Sequence, residues 1–261
     1  MGNAKCDQPV GVFDSGVGGI SVLKELYQVM PQEHYIYFGD SKNAPYGTRP
    51  VEEIRSLTIA NVKFLLEQGV KGIVVACNTA TAAAVRTLRG MYPDIPLVGI
   101  EPAVKPAALQ AGHPTILVMA TPMTISGDKY KTLMMRYEQK ADIIGLPCPG
   151  LVEFVETGNT DGADLKVFLE NLLAPYLREI DSIVLGCTHY PFVRRLIQEI
   201  AGERVRIFDG GNGTAREMRR RLKEAGLLSA HEGPGTVTFE NSLASEEEIE
   251  LSRTLFQKNL F

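Results

Sequence analysis

The chain has 261 residues, of which 44% are hydrophobic and 22% charged, the composition of a soluble globular protein with room for one large domain or two compact ones. Apolar runs such as GIVVAC and TILVMAT are too short to span a bilayer, and MGNAKCDQPV lacks the apolar core of a secretory signal, so a cytoplasmic protein with no membrane partner is expected. A net charge of −4 without a basic block argues against nucleic acid as a partner, and four widely spaced cysteines (Cys6, Cys77, Cys148, Cys187) fit neither a zinc ribbon nor a disulfide framework.

In chain order, apolar runs rich in Val and Ile predict strands at 10–15, 35–40, 72–77, 96–100, 115–121, 142–148, 182–187, 204–209 and 236–240. Stretches of helical periodicity lie between most of them, for example VEEIRSLTIANVKFLLEQG, which ends at Gly69, and LKVFLENLLAPYLREI. The acidic run Glu246–Glu248 suits the first turn of a C-terminal helix, where negative charge meets the positive end of the dipole. Alternation of strand and helix predicts an α/β fold of mostly parallel sheets flanked by helices.

Ligands of such sheets sit outside the carboxyl ends of the strands. Here those ends carry Asp14-Ser15, Asp40, Cys77-Asn78, Thr121, Cys187-Thr188 and Asp209. GIVVAC and SIVLGC align with their cysteines 110 positions apart, and VFDS and VMAT align with Ser15 and Thr121 at a separation of 106. Two offsets this close predict a duplicated half, hence two pseudo-symmetric lobes with the site in the cleft between them. The expected division is 1–99 with 210–261 for the first lobe and 100–209 for the second.

Each cysteine stands at a strand end before an expected helix, where the helix N-terminus favours the thiolate. Two thiols facing one substrate divide the work of inverting a stereocentre. One removes a proton from carbon on one face while the other delivers a proton to the opposite face. Ser15, Asn78, Thr79 and Thr188 could stabilise the developing charge, with His189 and Asp14 assisting proton movement, and no metal or redox cofactor is required. Asp14 and Asn78 could equally cap the helices that follow them. A dinucleotide site is disfavoured, because Ser21 replaces the third glycine of GxGxxG and Asp14 would face the pyrophosphate. A zinc site built on Cys77, Cys187 and His189 lacks a convincing fourth ligand. An amino-acid binding protein, and a racemase acting on aspartate, stay open at this point.

FDSGVGG (13–19), YFGD…APYGTR (37–49), ACNTATA (76–82), IEP (100–102) and LGCTHYPF (185–192) occur in order over nearly the whole chain and together resemble the glutamate racemases of the cofactor-independent aspartate/glutamate racemase superfamily. The resemblance implies interconversion of L- and D-glutamate, supply of D-glutamate for peptidoglycan, and a homodimer. By similarity, Cys77 would take the proton from D-glutamate and Cys187 from L-glutamate. Asp14 and Ser15, Tyr46 and Gly47, Asn78 and Thr79, and Thr188 and His189 match the family's substrate-contacting pairs. Thr121, the counterpart of Ser15, joins the expected binding set. Glu153, in LVEFVE, resembles an acidic residue near the substrate ammonium, although CPGLVEFVETG departs from the commoner form of that segment, as does DGGNGTAR from a serine-containing one.

Overall fold

The structure, a computed structural model, describes residues 5–260. In chain order the elements are β1 (Val10–Asp14), α1 (Ile20–Val29), β2 (Tyr35–Gly39), α2 (Val51–Glu67), β3 (Gly72–Val75), α3 (Asn78–Met91), β4 (Leu97–Gly99) and α4 (Val104–Ala108). There follow β5 (Thr115–Ala120), α5 (Pro122–Ser126), α6 (Asp128–Met135), β6 (Asp142–Pro147), α7 (Leu151–Glu156), α8 (Ala163–Leu173), β7 (Ser182–Leu185), α9 (Arg194–Ala201), β8 (Arg206–Asp209), α10 (Gly211–Glu224), β9 (Val237–Asn241) and α11 (Glu246–Gln257). All nine expected strands form, within about two residues of their expected ends. The central strands are buried along their whole length, β1 and β3 completely, which is why they read as unbroken apolar runs without alternation.

Helix ends follow local chemistry. Helix α2 stops just before Gly69, whose φ of +76° is the left-handed conformation that glycine adopts without a Cβ penalty. Ser245 caps α11 by accepting from the Glu248 N–H, with Glu246, Glu247 and Glu248 filling the first turn. Helix α8 is shorter than its periodicity suggested and ends at Leu173, two residues before Pro175, which has no N–H to continue the ladder. Among the described residues no helix is long and apolar enough to cross a membrane.

The strands make two wholly parallel sheets, one in the order β4-β3-β1-β2-β9 and the other in the order β6-β5-β7-β8. With β5 in place of β1 and β7 in place of β3, the second order repeats the first four strands of the first. The register repeats as well. Val10 pairs with Gly72 and Phe13 with Val75 in one sheet; Ile116 pairs with Ser182 and Met119 with Leu185 in the other. These positions are 106 and 110 apart, the same offsets that relate Ser15 to Thr121 and Cys77 to Cys187. The Ala76 N–H donates to the Phe13 carbonyl, and the Gly186 N–H to the Met119 carbonyl, each at 2.7 Å, so both cysteines leave their sheets at the same height.

Strand β9 is the departure from symmetry. It extends the first sheet beyond β2, and α10 and α11 return with it to pack on α1. One apolar core runs under both sheets, joining Val12, Val74 and Leu23 to Leu117, Ile183 and Leu169, with smaller clusters on the outer faces.

Candidate active site

Both cysteines line one cavity. The first lobe contributes Ser15 from the end of β1, Tyr46 and Gly47 from the loop after β2, and Cys77, Asn78 and Thr79 from the β3–α3 junction. The second contributes Thr121 from the end of β5 and Cys187, Thr188 and His189 from the end of β7. Every one of these lining residues is buried. The sheet topology explains the convergence, because each lobe presents the carboxyl ends of its two central strands to the cleft.

Hydrogen bonds between the lobes close the cavity on several sides. Thr188 Oγ1 donates to Asp14 Oδ2 at 3.1 Å, and Ser21 Oγ to the Thr188 carbonyl at 2.8 Å. Thr79 Oγ1 lies 3.2 Å from Thr121 Oγ1 and 3.3 Å from Thr124 Oγ1. Asp14 itself is fully buried and sits behind the cavity wall. It accepts from the Gly16 N–H at 3.1 Å and caps no helix; α1 begins without a side-chain cap. The capping expectation for Asn78 is corrected too. Cys77 is the residue at the cap, with its sulfur accepting from the Ala80 N–H at 3.4 Å, and Asn78 starts the helix.

The two cysteines differ electrostatically. Burial is the main force on Cys77 and Asp14 adds to it, so its thiol is pushed up to about 12 even though the Ala80 N–H and Ser15 favour the thiolate. The expectation that a helix N-terminus would make Cys77 a thiolate is therefore corrected: one amide hydrogen bond does not offset complete desolvation beside a carboxylate. No α-helix starts directly at Cys187. A 3₁₀ turn over Tyr190–Val193 intervenes, with Pro191 in its first turn, and α9 begins only at Arg194.

His189 takes the place of the helix. Its Nδ1 lies 3.6 Å from Cys187 Sγ and its Nε2 lies 2.5 Å from Glu156 Oε1. Burial opposes the charged imidazolium, but these two bonds and the charges of Cys187 and Glu156 outweigh it and raise the imidazole well above its ordinary value. The imidazole thus stands between the Cys187 sulfur and the Glu156 carboxylate. Asp14 moves from 3.8 to about 6, mainly through burial, with the His189 charge and the Gly16 N–H pulling it back.

The glycines of FDSGVGG serve close packing between lobes. A Cβ on Gly16 would fall 2.0 Å from Glu156 Oε1, and one on Gly18 would fall 2.3 Å from His189 Nδ1. The Val17 N–H donates to the same Glu156 oxygen at 3.0 Å. The loop that resembles a phosphate cradle is a seat for the second lobe's histidine and glutamate.

The family model for Asp/Glu/Hydantoin racemase matches residues 16–218. The chain belongs to that family. A glutamate racemase from Clostridium perfringens is 52% identical over 250 residues, spanning 95% of this chain and 96% of that one. Among solved structures, glutamate racemase from Francisella tularensis in complex with D-glutamate is 28% identical with a TM-score of 0.83, covering 97% of this chain and 95% of its own. Escherichia coli glutamate racemase, in complex with L-glutamate and the activator UDP-MurNAc-Ala, is 30% identical with a TM-score of 0.82, over 96% and 94%.

Within this family member the structure separates the two acidic residues of α7. Glu153 is exposed and does not reach the cavity; Glu156, one turn later, bonds His189 and Val17 across the lobe interface. Of the two, Glu156 and not Glu153 is the acidic side chain that reaches the residues around the cavity. Residues three apart lie on nearly the same helix face, so spacing alone did not distinguish them. Asp40 stands at a strand end and in the YFGD…APYGTR motif, and nothing local marks its contact with Tyr46. Cys148 is buried and pushed up to about 12, chiefly by burial, and Cys6 donates to the Gly226 carbonyl; neither lines the cavity.

Gly18→Ala tests the seat directly. The added methyl must displace the His189 ring, so kcat/KM should fall by about tenfold or more while the fold persists. The loss must be equal in both directions of a racemisation, because the two enantiomers have equal free energy. Unchanged steady-state kinetics would show that His189 has no fixed position to lose.

Proposed function

We propose that the protein interconverts L- and D-glutamate by two-base proton transfer at Cα, with Cys77 facing the D-enantiomer and Cys187 the L-enantiomer. The observation that carries this reading is the placement of two cysteines at equivalent strand ends on one buried cavity. The two enantiomers named with solved relatives supply the substrate. In the L-to-D direction Cys187, as a thiolate beside the His189 imidazolium, takes the Cα proton. Cys77, held as a thiol by burial and by Asp14, delivers its proton to the other face. The return direction begins from the opposite protonation state, with Asp14 next to the Cys77 side and Glu156 holding the imidazole.

Ser15, Asn78, Thr79, Thr121, Thr188 and the Tyr46-Gly47 turn bind the substrate, and polar donors around the cavity stabilise charge as it develops at the carboxylate. The chemistry calls on no metal or redox cofactor. The lobes divide as 1–99 with 210–261 and 100–209, which assigns β9, α10 and α11 to the first lobe. The physiological role is supply of D-glutamate for peptidoglycan in the cytoplasm. The assembly is a homodimer, on family resemblance, and light scattering of the purified protein checks it.

Incubating either glutamate enantiomer with the protein in D2O, while following circular dichroism and Cα deuterium by NMR, tests the function. The product enantiomer should appear with deuterium at Cα, because its new proton comes from a solvent-exchanged thiol. Binding without inversion or exchange would mark an amino-acid binding protein instead, and faster turnover of aspartate would reassign the substrate.

A further inference from the structure

Asp40 closes β2 next to Asp14, whose carbonyl accepts from the Asp40 N–H at 3.0 Å. Its side chain is a buried carboxylate without an ion-pair partner among the described residues. Such a group is costly unless its lone pairs are filled. Here they are filled by neutral donors alone. Tyr46 Oη donates at 2.6 Å, Asn61 Nδ2 at 3.0 Å, and Asn43 Nδ2 at 2.9 and 3.1 Å to the two oxygens. Asn61 Nδ2 also lies 3.1 Å from Tyr46 Oη, so Asp40, Tyr46 and Asn61 form a closed triangle.

What this triangle grips is the cavity wall. Tyr46 and Gly47 both line the cavity, and the Tyr46 ring packs 6.3 Å from that of Phe13 on β1. On its far side the turn abuts the second lobe so closely that a Cβ on Gly47 would fall 2.7 Å from Thr121 Cβ. Arg49 Nε closes the loop by donating to the Asn43 carbonyl at 2.7 Å. The turn is thus fixed between Thr121 and a carboxylate that is not itself among the residues lining the cavity.

We propose that Asp40 is a positioning residue for substrate binding, holding the Tyr46 hydroxyl and thereby fixing the Tyr46-Gly47 turn at the cavity wall. This rests on the reading that the cavity takes glutamate. A turn that contacts the unreacting part of the substrate meets both enantiomers alike, so its loosening weakens binding more than it slows proton transfer.

The test compares three variants of the full chain with both glutamate enantiomers. Asp40→Asn should raise KM for each enantiomer by about tenfold, the effect of losing one hydrogen bond to a charged group, while kcat changes by less than about threefold. Tyr46→Phe removes only the hydroxyl and should give the same rise, and the two changes combined should be no worse than either alone. In Asp40→Asn/Asn61→Asp the carboxylate and amide trade places across their 3.0 Å contact, which leaves a carboxylate beside Tyr46 Oη and should restore KM. An exchange variant no better than Asp40→Asn, or an unchanged KM in Tyr46→Phe, would overturn the role. Wild-type protein inert toward glutamate would overturn the proposed function, whereas active wild-type protein with unaltered variants overturns the role of Asp40 alone.

Discussion

Cys77→Ala and Cys187→Ala are each expected to reduce racemisation by about 10²–10⁴-fold, the range over which a positioned acid or base contributes. Inversion needs a proton removed from one face and supplied to the other, so neither thiol can replace its partner. The cavity offers no substitute at either position. The residues beside Cys77 are Ser15, Asn78 and Thr79, which are hydroxyls and an amide, and His189 is held by Glu156 behind Cys187. Both sulfurs are small and almost fully buried, so Ala leaves a minor void and folding should persist.

Residual Cα exchange in D2O distinguishes the two faces. A variant that retains Cys187 should exchange only L-glutamate, and one that retains Cys77 only D-glutamate, in each case without inversion. Full activity in either variant would end the two-base mechanism, and exchange of the wrong enantiomer would reverse the assignment of faces.

Asp14→Asn should make the protein more stable above pH 6 and, at the same time, nearly inactive. Burial raises the Asp14 carboxyl from 3.8 to about 6 in the folded protein. The folded state therefore binds the proton more tightly than the unfolded state. Stability from this source is fully present below about pH 4 and is lost as the pH rises through about 6. The shift of about two units corresponds to about 3 kcal/mol at neutral pH, offset in part by whatever Asn bonds less well.

The replacement retains an oxygen for the Gly16 N–H, and its amide can donate to Thr188 Oγ1, which removes the charge without orphaning either partner. Urea denaturation at pH 4, 6 and 8 should show the slope between pH 4 and 6 flattened in the variant and a gain at pH 8 of about 1–3 kcal/mol. On the proposed mechanism racemisation should fall by about 10²-fold or more, since Asp14 is the carboxylate whose charge acts on Cys77. A variant less stable at pH 8 with activity retained would assign Asp14 to structure. The cost of burying this charge is the kind of local expense that a functional site retains.

The sequence by itself determined the α/β class, all nine strands, the repeat and the two cysteines at strand ends. Each of these is written in local patterns: buried parallel strands are unbroken apolar runs, glycine and proline punctuate their ends, and a duplication preserves spacing. The offsets of 106 and 110 even carried the register, because residues that pair in one sheet have counterparts that pair in the other.

Tertiary structure decided what depends on surroundings rather than spacing. It placed Glu156 rather than Glu153 against His189, through a Val17 contact spanning 139 positions. It made Cys77 a thiol and gave Cys187 an imidazolium neighbour, because desolvation and nearby charge set protonation more strongly than one turn of helix. It also tied Asp40 to Tyr46. Local sequence records the backbone path well; the burial and the neighbouring carboxylate that hold Cys77 as a thiol come from groups that only folding brings together.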